Sequence, residues 1–421
     1  MSAESREERA VVLQPLTNLL QQLKATAARC GVGAVSRGQR LVGYAGQNLS
    51  ENNMLRLLLP GTIALLSACT EGKDSQVSVD GDLKTVRSAV ESGSDGLAVV
   101  LVEVESGEEA MMVTASSSEQ VAVEEIVAPD GSSAMYWEDW YGAYSLTSAI
   151  YVEGNDTVVN WPVRSTDGGL DAGTWEVHIG VVDGSGYYVS NEALDVVTQT
   201  RTDSDLSSGT LSIEIIYAEG VGSNSDVVAA TEQAVARWED IWAAAGLTAS
   251  ISWYDSDLDP TLTDLSEGGS AVISDLSAAG TDSDLMVLIG ESIGSYNDVY
   301  GISGGIPGPL TESERAAVVI SWPTNAGGDG AFSDEDIRLY GETLAHEVGH
   351  YTGLFHPVED GWEYWDALDD TSDCASTADC EAALGDNLMF PYPVCDWDEC
   401  VHQDDLSGGQ QGVMHRYAGT L

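Results

Sequence analysis

Eleven consecutive residues, His346-Glu347-Val348-Gly349-His350-Tyr351-Thr352-Gly353-Leu354-Phe355-His356, hold half of the chain's six histidines, and their spacing dictates a helix, a turn and a loop in that order. On a helix, His346 and His350 stand one turn apart on the same face, so both imidazoles can reach one tetrahedral metal ion. Glu347 follows the first of them and reaches what that ion would hold. Gly353 accepts the left-handed backbone that ends a helix and reverses the chain. That reversal lets His356 supply a third ligand from a loop. The fourth position stays open, as in a catalytic rather than a structural zinc site.

The flanking residues support the helix. Ser333 followed by Asp336 reads as a capping box, and Asp334 and Glu335 suit the positive end of the helix dipole. Ile337, Tyr340, Leu344, Val348 and Tyr351 recur at steps of three and four and predict a buried stripe. The two helical histidines lie off that stripe, toward a cleft.

Together with Asp386-Asn387-Leu388-Met389, these residues resemble the metzincin metallopeptidases, whose zinc motif is followed by a methionine-containing turn. The chain is most similar to the pappalysin and cytophagalysin family, on the Gly-Leu-x-His ending of the motif, the Asp-Asn-x-Met turn and the cysteine soon after it, Cys395. The segment Leu406 to Tyr417, with Gln410 and Met414, resembles that family's closing helix. The resemblance covers roughly residues 333 to 417. It implies an α+β zinc peptidase domain with a mixed sheet, one catalytic Zn2+ on His346, His350 and His356, Gly353 at the turn and Met389 beneath the metal. It further implies a zinc-dependent endopeptidase in which Glu347 acts as general base toward a zinc-activated water and then as general acid toward the leaving amine. The tyrosine that many metzincins place two residues after the turn methionine, to stabilise the tetrahedral intermediate, is Pro391 here. Tyr392, one residue later, is the candidate for that role. The Gly-rich segment Tyr300 to Leu310 is expected near the edge strand that holds an extended substrate.

A second motif lies far upstream. Leu57 to Leu66 is an apolar run too short to span a bilayer but typical of a signal-peptide core, and Leu66-Ser67-Ala68-Cys69 resembles a bacterial lipobox in which Cys69 is lipidated. Met54-Leu55-Arg56 supplies a start and a positive charge. Residues 1–53 carry six of the sixteen basic residues and only four acids, whereas Cys69 onward holds nine basic and sixty-five acidic residues. The expectation is that translation starts at Met54, with residues 54–68 as the signal peptide, and that the protein sits lipid-anchored on a bacterial cell envelope, outside the cytoplasm.

Export changes how the cysteines are read. Cys374, Cys380, Cys395 and Cys400 bracket Met389, and an even number in an oxidising compartment suggests two disulfides with three possible connectivities.

Composition divides the remainder into a polar tether at 69–85, a β-sandwich accessory domain at 86–200, a linker at 201–209 and a catalytic domain at 210–421. The sandwich is expected from β-type runs at Leu97 to Val104, Ala149 to Glu153, Thr157 to Val163 and Thr174 to Val182, parted by turn signals such as Pro129-Asp130-Gly131. Leu170-Asp171-Ala172-Gly173-Thr174-Trp175 weakly resembles the pre-peptidase C-terminal type of sandwich. The aromatic cluster Tyr136, Trp137, Trp140, Tyr141 and Tyr144 belongs to its core and surface or to a ligand site. Downstream, strands are expected at Leu211 to Tyr217, Ser250 to Tyr254, Leu285 to Ile289 and Ala316 to Trp322, with a helix at Asp226 to Ala245.

The formal net charge of −53 argues against nucleic acid and anionic membrane surfaces as direct partners, leaving the lipid as the expected membrane contact. It suits saline surroundings or Ca2+. Asp255, Asp257 and Asp259 form a DxDxD run, although Pro260 replaces the sharp-turn glycine of a calcium loop. His178, His402 and His415 lack ligand spacing and are read as structural or surface residues. A monomer acting on protein or peptide substrates is expected. The alternative is a surface binding lipoprotein with a degenerate peptidase domain.

Overall fold

Alternating burial in the run Leu97 to Val104 asks for a strand with one face in a core, and the computed structural model forms it: Ala98, Val100, Val102 and Val104 are buried while Val99 and Leu101 face outward. The structure describes residues 75–137, 146, 155–202, 204–261, 273, 276, 284–294, 299–311, 313–328, 330–359, 362, 364–396 and 400–420. The expectations at Met54, at 57–68, at Cys69, at Trp140, Tyr141 and Tyr144, and at 149–153 lie outside these residues.

The described residues of the first half are built mainly of strands. Strands β1 (Gln76–Asp80), β2 (Leu83–Glu91), β3 (Leu97–Val104), β4 (Glu108–Ser116), β5 (Gln120–Val127), β6 (Ser133–Tyr136), β7 (Asp156–Trp161), β8 (Gly173–Val182) and β9 (Ala193–Thr202) build two antiparallel sheets, ordered β1-β2-β9-β4-β7 and β3-β8-β5-β6. The polar stretch expected as a tether is corrected by this arrangement, because the chain enters the sheet at Gln76 and turns at Gly81 (φ 57°) into β2. The reason is that β1 is held by backbone pairing at a sheet edge rather than by burial. Val77 and Val79 stay 62% and 68% exposed, so the sequence shows no core-facing period there. The expected linker shortens for a similar reason, since β9 runs to Thr202 and the next strand begins at Gly209.

The second half is mixed α+β. Strands β10 (Gly209–Tyr217), β11 (Leu247–Asp255), β12 (Leu285–Gly290), β13 (Gly301–Ser303) and β14 (Ala317–Ser321) lie in the order β11-β10-β12-β14-β13. The first four are parallel and β13 runs antiparallel to β14. Continuous apolar runs in β12 and β14 predict strands covered on both faces, and every residue of both is buried. Val287, Ile289, Val318 and Ile320 share a cluster with the helices, while Met286, Leu288 and Val319 join Ile216, Ile273 and Ile293 in a second cluster. Helix α1 (Ser225–Ala244) links β10 to β11, capped by the Asn224 side chain. After α2 (Trp322–Asn325) come α3 (Asp334–Tyr351), α4 (Thr377–Leu384) and α5 (Gly408–Ala418). Helices α1 and α3 cross at Gly341, where a Cβ would stand 2.6 Å from the Ala234 carbonyl oxygen.

The two halves share one apolar cluster that runs from Val100 and Val159 through Leu211 and Trp238 to Val413 and Tyr417. Polar contacts reinforce the seam. Arg164 Nη1 donates to the Ala367 carbonyl (3.1 Å), the Glu314 amide donates to Asp156 (3.2 Å), and Ser204 donates to the Gly419 carbonyl (2.9 Å).

Candidate active site

Helix α3 begins at the expected capping box: the Asp336 amide donates to Ser333 Oγ (3.1 Å) and the Ser333 amide donates to the Asp336 carboxylate (2.8 Å). That start fixes the phase of the helix. Tyr340, Leu344, Val348 and Tyr351 are fully buried, Ile337 is half-buried in the first turn, and His346 and Glu347 are left to line a cleft. The helix ends as Gly353 takes φ 102°, with its amide donating to the His350 carbonyl (2.8 Å) and the Leu354 amide to that of Gly349 (3.0 Å).

The reversal brings three imidazoles together. His356 Nε2 lies 3.1 Å from His350 Nε2 and 3.3 Å from His346 Nε2, and all three nitrogens fall within 4.8 Å of one another. Tetrahedral zinc with bonds of about 2.0–2.1 Å holds its nitrogens about 3.3–3.4 Å apart. The geometry fits. So does the chemistry, because each outer nitrogen faces an acceptor: His346 Nδ1 the Leu388 carbonyl (2.7 Å), His350 Nδ1 the Leu354 carbonyl (2.6 Å) and His356 Nδ1 the Glu359 carboxylate (2.9 Å). A proton on each Nδ1 leaves three Nε2 lone pairs aimed at one point, an arrangement that repels itself without a cation. Burial holds the His346 imidazole down at about 3, helped by His356 and opposed by the Leu388 carbonyl, and burial likewise keeps His350 well below its ordinary value. Both are neutral, as metal ligands must be.

Glu347 lines the same cleft, and burial pushes its carboxyl up to about 8. Strand β13 passes so close that a Cβ on Gly301 would stand 2.5 Å from Glu347 Cγ. The cleft measures about 320 Å³ and is walled by Tyr300, Leu339, Thr343, Phe390 and Gln403 among others.

Its floor is the turn at Met389, which is fully buried beneath Gly349, where a Cβ would meet Met389 Sδ at 2.7 Å. Asn387 shapes that turn by accepting from the Met389 amide (2.9 Å), and its amide group exchanges hydrogen bonds of 2.8 and 3.0 Å with Gln410. Gln410 also accepts from the Ser407 amide to cap α5. The four cysteines pair as Cys374–Cys380 and Cys395–Cys400, so the connectivity left open by the sequence is the local one on either side of Met389.

No model of a known protein family matches the chain, and no curated protein sequence matches it. Among solved structures it is similar to an archaemetzincin from Methanopyrus kandleri, at 15% identity over 35% of this chain and 76% of that one, with a TM-score of 0.25. It is also similar to metalloproteinase-II from Bacteroides fragilis, at 15% identity over 43% of this chain and 54% of that one, again with a TM-score of 0.25. The chain thus spans about half the length of the second neighbour. Overlaps this slight carry no weight here, and the functional reading stands on the residues of the site.

Other candidates fall differently. Tyr392 lines the cleft, but its hydroxyl donates to Glu381 on α4 (3.3 Å) and its ring stands edge-on to Phe390. The ring shares the cleft with His346 and Glu347 while its hydroxyl is engaged by α4. The Ca2+ expectation finds no ligand cluster at Asp255, Asp257 and Asp259 among the described residues, and Asp259 instead closes a turn on Thr261. His178 lies between Glu125 and Glu176, and His415 donates to the Ala245 carbonyl, both structural roles. Exposed His402 groups with Glu342 and Asp404, but Arg237 and Arg338 pair with those carboxylates, which makes an ion-pair cluster of them. Tyr136 and Trp137 contact each other at 6.4 Å between ring centres. Three partners of the histidines are not foreseen from the sequence: the Leu388 and Leu354 carbonyls and Glu359. The His-x-x-Glu spacing from His356 to Glu359 was the signal available for the last of these.

Proposed function

We propose that this chain is a zinc-dependent endopeptidase of the metzincin type. The observation that carries this reading is the convergence of three imidazole Nε2 atoms at tetrahedral spacing beside a buried glutamate, at the edge of a mixed sheet. His346, His350 and His356 would hold the ion, which when bound supplies an acidified water and a polarised peptide carbonyl. Glu347 takes the water proton on its carboxylate and returns it to the leaving amine. Burial drives that carboxyl upward, toward the range in which one group can both accept and donate a proton. Strand β13 ends its sheet and presents a backbone edge on which an extended peptide can pair as a further strand.

The same proposal includes export and lipid anchoring at Cys69 on a bacterial envelope, with the all-β half as a sandwich accessory domain. Two disulfides support an oxidising compartment. Partners are protein or peptide substrates, acted on by a monomer.

The test uses the purified full chain and its Glu347→Ala variant, with zinc content and cleavage of a denatured protein as readouts. One zinc in each, with cleavage only by the unsubstituted chain, is the expected result. Bound zinc with no cleavage by either would overturn the enzyme reading in favour of a binding lipoprotein.

A further inference from the structure

The three histidines are not held alike. His346 and His350 lean on backbone carbonyls, which side-chain substitution cannot remove and which carry no net charge, whereas His356 leans on the Glu359 carboxylate. His356 is also the one ligand outside the helix, so neither α3 nor a buried carbonyl fixes its ring. Glu359 is itself fixed: Val358 bridges to Trp365, the Glu359 amide donates to the Tyr364 carbonyl (2.9 Å), and the Trp362 amide donates to the Glu359 carbonyl (3.1 Å). Trp362 takes φ 60° to close this hairpin, an unusual conformation for a bulky residue. Trp362 and Trp365 pack against Val358, Phe390 and the Cys374–Cys380 disulfide, which clamps the hairpin to the floor of the site.

We propose that Glu359 is the positioning residue for the third ligand, setting metal affinity by holding His356 in the tautomer whose Nε2 lone pair faces the ion. This rests on the zinc reading of the site. A neutral imidazole without a partner at Nδ1 can carry its proton on either nitrogen, and in one of those forms it presents N–H where a lone pair is required. The carboxylate removes that choice. It also places a carboxylate, rather than a carbonyl, behind the third donor, strengthening the ligand.

The test is zinc affinity, measured by competition with a chelating indicator on the full chain and its Glu359→Ala and Glu359→Gln variants, with Co2+ absorption as a report on ligand geometry. Glu359→Ala is expected to bind zinc about 10- to 100-fold more weakly. Glu359→Gln keeps an oxygen that can accept from Nδ1 and is expected to fall between, with a Co2+ spectrum like that of the unsubstituted chain. Thermal melting of the zinc-free forms should coincide for all three chains. A Glu359→Ala chain that melts early leaves the decision to Glu359→Gln, whose intermediate affinity supports the role and whose unchanged affinity overturns it. Equal affinity in all three overturns the role of Glu359 alone. An unsubstituted chain that takes up no zinc overturns the zinc reading itself and this inference with it.

Discussion

Gly301 shows how little room the Glu347 carboxylate, the proposed general base, has. The strand that forms the cleft edge runs over Glu347 so closely that an alanine Cβ would overlap its Cγ at 2.5 Å and approach Ile320 Cδ1 at 2.8 Å. Gly301→Ala should therefore displace the carboxylate while leaving the three histidines untouched. Turnover is expected to fall about 100-fold, as for a misplaced general base, with zinc content unchanged. Steady-state kinetics beside metal analysis checks this. The ligand spacing and Glu347 were readable because a helix converts sequence intervals directly into positions on a face. Gly301 was not, since its constraint arises between residues 46 positions apart. The Leu388 carbonyl is hidden for a related reason, because every residue has one and only the turn decides which faces a ring.

Helix α3 owes its register to its first turn. The reciprocal pair of Ser333 and Asp336 satisfies amides that would otherwise lack partners, and Ser333→Ala is expected to cost about 1 kcal/mol of stability. Urea titration should show an earlier midpoint with an unchanged slope. The capping box, the long helices and the continuous apolar strands could all be read from local pattern. Strands β1 and β13 could not: β1 buries neither valine, and β13 is three residues of Gly, Ile and Ser recruited only by pairing with β14. Such elements are specified by their neighbours, so the sequence carries their signal elsewhere. Helices α1 and α3 are legible in local pattern and the short α2 and α4 are not, while the polar composition around β1 hides a strand held only by backbone pairing.

Stability as a function of pH should carry the mark of Asp366. This carboxyl is 3% exposed and accepts from Thr371 and the Leu368 amide through Oδ1, while Oδ2 has no hydrogen-bond partner among the described residues. Burial pushes it up to about 7, with Asp370 and Asp373 adding to the rise against the Thr371 and Leu368 hydrogen bonds. A carboxyl raised in the folded state favours the fold while protonated. Its contribution is thus complete below about pH 4 and is lost as pH rises through about 7. Asp366→Asn should melt like the unsubstituted chain near pH 4 and higher at pH 8, by about 1–3 kcal/mol once the amide's unmet donor is counted. Calorimetry at the two pH values decides it, and an equal shift at both would contradict the assignment.

A peptidase of the proposed kind must survive its own chemistry, and the shared core bears on that. Between Thr202 and Gly209 the chain passes from one half to the other in a few residues, anchored by strands on both sides and tied by Ser204 to the Gly419 carbonyl. A cleft that reads extended backbone needs a stretch free to lie flat as a strand. Among the described residues of the seam, freeing such a stretch would mean prising apart the apolar cluster common to both halves. Under the proposed peptidase activity, this polar crossing is expected to resist autolysis because of the packing on either side of it.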